Sequence, residues 1–157
     1  MKSEIEESRY IDAAPRTVYS LIADYRSGHP RILPPKYFGW LRVEQGGVGA
    51  GTRIRFSMKS FGTEQEMVAI VDEPEPGRVL VESFQDGTGV TTFTVDPNPP
   101  GSRVSIRTVL ARPGLRGALE GLVAPRFLRQ VYRDELELLE RVAKEEERGY
   151  GAPLATG

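Results

Sequence analysis

Three side chains in this sequence could move a proton in a ligand pocket: His29, Glu82 and Tyr37. His29 is the single histidine, and a histidine is the side chain that titrates near neutrality without being perturbed. It stands in the stretch Asp24-Tyr25-Arg26-Ser27-Gly28-His29, close in sequence to a carboxylate and a phenol. General acid–base work would require a partner and a path for substrate. Adjacency in the chain supplies neither, and a structural loop histidine is the simpler account. The chain has no cysteine, which excludes disulfides, thiolate nucleophiles and cysteine-ligated zinc, and one histidine cannot make a multi-histidine metal site. No cofactor or metal is expected.

Other spacings invite a chemical reading and fail it. The glycine-rich stretch Gly46-Gly47-Val48-Gly49-Ala50-Gly51 lacks a following helix and the lysine and hydroxyl of a phosphate loop, so a flexible hairpin fits better. Gly117 and Gly121 have the spacing of a membrane helix-packing motif, but Arg116 and Glu120 beside them point instead to close helix approach or open space. The run Lys144-Glu145-Glu146-Glu147-Arg148 reads as a solvated helix end.

The elements that must position these residues are legible from periodicity. Apolar residues recur with helical spacing from Leu115 to Arg148 (Leu115, Leu119, Leu122, Leu128, Val131, Leu138, Val142, widened by Tyr132, Leu136 and Leu139). A helix of roughly 30 residues would be about 45 Å long. Pro125 predicts a bend or break, and the small residues Gly117, Ala118, Gly121 and Ala124 before it predict open space beside that part. At the other end, Ser3 to Asp12 reads as a strand. Pro15 then opens a short amphipathic helix with Val18, Leu21, Ile22 and Tyr25 on one face. The segment Ser27 to Phe38 is too rich in proline for more than a helical turn, yet carries Ile32, Leu33, Tyr37 and Phe38; it is the candidate lid.

Six strands are predicted after it: Trp40 to Gln45, Thr52 to Ser60, Thr63 to Asp72, Val79 to Phe84, Val90 to Val95 and Arg103 to Leu110. A two-residue turn at Ser60-Phe61 would pair Arg55 with Glu66 and Ser57 with Glu64, placing Ile54, Phe56, Met58, Met67, Ala69 and Val71 inward, with Gln65 the polar exception. Around Asp86-Gly87 the aromatics favour Leu80, Glu82, Phe84, Thr91, Phe93 and Val95 as the inner face. That choice encloses the Glu82 carboxylate in apolar surroundings, which disfavours its charged form unless it is paired. On the last strand Val104, Ile106, Thr108 and Leu110 face inward. The fold class is α+β: an antiparallel meander closed by a long C-terminal helix.

With 157 residues, 39% hydrophobic and 27% charged, one domain over residues 1–148 with a disordered tail over 149–157 accounts for the chain. A net charge of -1 argues against a nucleic-acid surface, which needs a basic excess. No run is long enough to span a bilayer, so no integral membrane association is expected. The first residues resemble neither a signal nor a transit peptide, and a cytoplasmic location is the expectation. Oligomeric state is left open.

The order of elements, with Ile11-Asp12-Ala13-Ala14-Pro15, the Gly47-Val48-Gly49-Ala50-Gly51-Thr52 hairpin and Pro74-Glu75-Pro76-Gly77-Arg78-Val79-Leu80, resembles the START-like helix-grip (SRPBCC) superfamily, and within it the polyketide cyclase/dehydrase and lipid-transport branch. That resemblance implies a curved sheet gripping the long helix around a hydrophobic cavity. The reading carried forward is binding or transport of a hydrophobic or amphipathic small molecule. Ile54, Phe56, Met58, Met67, Phe84, Phe93, Ile106, Leu119 and Leu122 would line the cavity, while Gln65, Glu82, Thr91 and Thr108 would orient the ligand. Opening would move Ser27 to Phe38, with or without the Gly46 to Gly51 hairpin. One alternative is a cofactor-independent cyclase or dehydratase using His29, Glu82 or Tyr37; another is a protein-interaction module with a filled cavity.

Overall fold

The computed structural model describes residues 3–60, 62–111 and 125–151. Strand β1 (Ser3–Ile11) leads into helices α1 (Pro15–Ala23) and α2 (His29–Ile32). Strands β2 (Phe38–Gln45), β3 (Arg53–Ser60), β4 (Thr63–Glu75), β5 (Val79–Phe84), β6 (Gly89–Asn98) and β7 (Gly101–Leu110) follow, and α3 (Pro125–Gly151) closes the chain. The seven strands form one antiparallel sheet in the order β1-β7-β6-β5-β4-β3-β2. The meander thus runs in sequence from β2 to β7, and β1 adds to its far edge. Register irregularities in β2, between Phe38 and Leu41 and between Val43 and Gln45, bend that edge strand.

The inner face of the sheet carries the expected side chains. Ile54, Phe56, Met58, Met67, Ala69, Val71, Leu80, Phe93, Val95, Val104, Ile106 and Leu110 are all buried. From the other side Val18, Ile22, Leu128, Val131, Leu136 and Leu139 complete the core. The register of the β3–β4 hairpin differs from expectation by two residues: Ser57 lies opposite Glu66, Lys59 opposite Glu64 and Ser60 opposite Thr63. The physical reason is the turn, which uses Gly62 at φ +80°, a conformation glycine adopts without a steric penalty. Because side chains alternate, a shift of two preserves both faces. The Arg55 guanidinium still reaches Glu66 at 2.7 Å, now diagonally.

Helix α3 packs on β1, α1 and α2. Its described part runs from Pro125 past Arg148 to Gly151. The expected first third of that helix, including Leu119, Leu122, Gly117 and Gly121, lies outside the described residues, as do residues 152–157 of the expected tail. The charged run 144–148 is more than a solvated end. The Glu147 carboxylate accepts from the Ala14 amide at 3.0 Å and from Thr17 Oγ1 at 2.9 Å, satisfying one free amide at the start of α1, where the Ala14 side chain makes no capping bond. Glu146 pairs with Arg31.

Candidate functional site

Between the inner sheet face, α3 and the α2 segment lies a cavity of ≈ 40 Å³. It is lined by Ile54, Phe56 and Met58 of β3, Glu82 and Phe84 of β5, Thr91 and Phe93 of β6, and Leu128, Tyr132 and Glu135 of α3. His29 of α2, Leu33, and Phe38 and Leu41 of β2 line its remaining side. That volume holds about two or three waters. A wider groove of ≈ 690 Å³ lies outside the core along α1, Arg31 and the end of α3. Its Arg31, Glu146, Glu147, Asp24 and Ser27 side chains are engaged with one another or with backbone. Convergent polar groups in apolar surroundings make the inner cavity the better site candidate.

Tyr25, His29 and Glu82 meet at this cavity. Tyr25 is held by its own amide, which donates to the Gly47 carbonyl at 2.8 Å, while the Gly49 amide donates to the Ala23 carbonyl at 2.9 Å. The glycine-rich hairpin therefore docks the end of α1, and it does so closely, as a Cβ at Gly49 would meet Glu73 Oε1 at 2.1 Å. Its amides at Gly47, Gly49, Ala50 and Gly51 all have protein acceptors, so no phosphate nest remains. From this anchored position Tyr25 donates its hydroxyl to Glu82 Oε2 in a short hydrogen bond. His29 stacks on the Tyr25 ring at 4.3 Å and meets Phe93 edge-on at 5.8 Å.

The histidine tautomer follows from its partners. Nδ1 lies 2.7 Å from the Ile22 carbonyl, which can only accept, so Nδ1 carries the proton. Nε2 lies 3.8 Å from Glu82 Oε2. Burial pulls the imidazole below its ordinary value, opposed by the Glu82 charge and the Ile22 bond, so at neutral pH His29 is neutral with an Nε2 lone pair facing the carboxylate. The pair is then no salt bridge. Burial, with Glu82 beside it, raises the Tyr25 phenol well above its usual range.

Glu135 completes the cluster from α3. It is 3% exposed, and its Oε1 has no hydrogen-bond partner among the described residues. Burial first, and the Glu82 charge second, raise its pKa well above the ordinary carboxylate value. Beside it the Thr91 and Thr108 hydroxyls lie 2.7 Å apart, and Thr108 bonds to the Tyr132 hydroxyl. Burial pushes that phenol up to about 12.

Of the residues expected at the site, Ile54, Phe56, Met58, Glu82, Phe84, Thr91 and Phe93 line the cavity, and His29 joins them. Met67, Ile106 and Thr108 are buried but do not line it, and Gln65 is half-buried away from it. Tyr37 is displaced from the cluster: its hydroxyl donates to Asp134 at 2.5 Å and its ring packs edge-on against Phe127. The tyrosine beside Glu82 is Tyr25. The Asp24 carboxylate is no partner for the His29 ring either, because it accepts from the Arg26 and Ser27 amides and the Ser27 hydroxyl, and only the Asp24 backbone carbonyl takes the His29 amide, at 2.7 Å. Tyr25 and Glu135 were missed. Glu135 had a signal: it falls on the apolar stripe, seven residues after Leu128 and four after Val131.

Among the described residues no group of three or more histidine, aspartate or glutamate side chains could hold a metal. No described helix is long and apolar enough to cross a membrane. Residues 2–144 match the family described as polyketide cyclase / dehydrase and lipid transport. The chain belongs to that family. Among solved structures of similar fold, the KanY protein (ms6282) shares 26% identity at a TM-score of 0.78, covering 92% of this chain and 99% of its own. The protein TTHA0849 from Thermus thermophilus shares 24% at a TM-score of 0.72, with the same coverage of 92% and 99%. The di-domain ARO/CYC StfQ of the steffimycin biosynthetic pathway matches at 16% identity and a TM-score of 0.69, over 94% of this chain and 52% of its own. No curated protein sequence matches the chain significantly. The fold of this polyketide cyclase/dehydrase and lipid-transport family member is the helix grip.

Proposed function

We propose that the protein binds a hydrophobic or amphipathic small molecule between the sheet and α3. The observation that carries this is the lining of the cavity, where aromatic and aliphatic side chains from four strands and α3 surround a few convergent polar groups. Sites for drug-sized ligands span about 300–1,000 Å³, so a ligand enters by displacing the Leu33, Phe38 and Leu41 side of the enclosure, where the lining is half-buried, as it is at Phe84. Native mass spectrometry of the purified protein, followed by titration with fatty acids, lysophospholipids and polycyclic aromatics, tests this. A saturable one-to-one complex is expected, competed by bulky replacement at Phe56 or Met58. If no such probe binds, the reading fails.

A second reading is favoured by one observation, the His29 lone pair facing Glu82 beside the Tyr25 hydroxyl. Such a group could pass a proton to or from a bound polycarbonyl chain, as a cyclase or dehydratase requires. His29→Ala and Glu82→Gln would then lower turnover by about a hundredfold or more with the fold retained. Unchanged turnover in both would remove the catalytic role.

A further inference from the structure

The cavity is rich in acceptors and poor in donors. Glu82 presents a carboxylate, Glu135 a carboxyl group with an unpartnered Oε1, and His29, with its Nδ1 proton on the Ile22 carbonyl, an Nε2 lone pair. The Tyr25 hydroxyl is already given to Glu82, and the Tyr132 hydroxyl is engaged with Thr108. No lysine or arginine stands among the described lining residues. Glu135 Oε1 is left buried without a donor, an arrangement that destabilises a fold unless something else is gained.

The geometry points to an amphiphile bearing a protonated amine as the occupant, its ammonium seated between Glu82 and Glu135 and its apolar body directed toward Leu33, Phe38 and Leu41. This rests on the small-molecule reading above and adds the chemical class of the head group. An ammonium brings up to three donors and the positive charge that the lining lacks. The surrounding rings of Phe38, Phe56 and Phe84, at centroid spacings of 6.3 and 6.4 Å, offer π faces to a cation. Before binding, Glu135 holds its proton; when the ammonium enters, the O–H bond of Glu135 breaks, the proton leaves to solvent and the carboxylate accepts an N–H. The titratable groups facing this point are Glu82 from β5, Tyr25 and His29 from the segment after α1, and Tyr132 from α3. Of these, His29 is neutral and both phenols stay protonated, so proton release on binding belongs to Glu135.

The test is calorimetric titration of the intact protein with matched amines, alcohols and carboxylic acids on an octyl chain and on a naphthylmethyl group, in buffers of different ionisation enthalpy. The amine should bind at least about tenfold tighter than its alcohol at pH 7.5, with the acid weakest. About one proton should be released per amine bound, and the amine preference should grow as pH rises. In Glu135→Gln the preference should collapse and the proton release vanish, while alcohol affinity is retained. The proton count in the unaltered protein gives an independent reading should that variant fold poorly. If alcohol and amine bind equally, or binding takes up protons, the amine assignment is overturned while the cavity reading stands. If no member of either series binds, both fall.

Discussion

Two tyrosine–glutamate pairs tie the first helix and the segment after it to the sheet, and they end differently. Tyr19 of α1 donates to Glu73 Oε2 at 2.6 Å, and Glu73 Oε1 accepts the Ala50 amide at 2.8 Å. Both carboxylate oxygens therefore hold a donor, and the pair fastens α1 to the glycine-rich hairpin. Tyr25 makes the same kind of bond to Glu82, but there the carboxylate opens onto a cavity with a second carboxylate, Glu135, whose Oε1 has no donor. The first arrangement is complete as a brace. The second has acceptors to spare, and that surplus is what supports the proposed binding site there over a structural contact made of the same groups.

The difference between the two pairs requires an interior that rejects charge elsewhere. Val131 is fully buried in the apolar core one helical turn before Glu135, so Val131→Asp places an unpaired carboxylate among hydrophobic side chains. A loss of about 3–5 kcal/mol or outright unfolding is expected in urea denaturation; near-normal stability would mean the core is wet and Glu135 unremarkable. Tyr25→Phe should come next, at about 2–3 kcal/mol, because it strips the donor from an enclosed carboxylate. A loss below about 1 kcal/mol would mean the Tyr25–Glu82 bond is no stronger than an ordinary one.

Much of this arrangement was readable in the chain. The alternation of β5 and β6 put Glu82 on the inner face because the aromatics Phe84 and Phe93 had to go there, and its burial beside them bears that out. What alternation could not supply was the partner: Tyr25 and His29 reach Glu82 across 57 and 53 residues only through the docking of α1 on the hairpin. Register failed for a local reason, a turn that uses the positive φ of Gly62, and the period of two kept the faces correct nonetheless. Glu135 was hidden in plain view, since a lone carboxylate within an apolar helical stripe is easily taken as the stripe's polar border.

The two carboxylate environments also separate by pH. Glu135 has its folded pKa raised above the unfolded value of 4.5 by burial and by Glu82. The folded state therefore holds a proton that the unfolded state has released, and stability contributed below pH 4.5 is lost as pH rises through the folded pKa. Glu135→Gln removes that dependence. Wild type and variant should have similar stability near pH 4 and diverge as pH rises, with the variant more stable by about 1–2 kcal/mol at pH 8. His29 acts in the opposite sense in both proteins. Its depressed value means the unfolded state takes up a proton first as pH falls below 6.5, so its contribution cancels in the difference. Parallel pH profiles would show that Glu135 is charged and satisfied.

Tyr19→Phe removes a donor of the same type, yet Glu73 is only half-buried and keeps the Ala50 amide on Oε1. Water can approach the vacated Oε2, so the loss should be about 0.5–1 kcal/mol. The change should leave ligand affinity at the inner cavity unaltered, since neither Tyr19 nor Glu73 lines it. Tyr25→Phe should do the reverse on the second count, changing affinity as well as stability. A Tyr19→Phe variant that weakened binding as much as Tyr25→Phe would mean that the two pairs act together through the hairpin, with the brace setting the position of Tyr25 rather than merely holding α1.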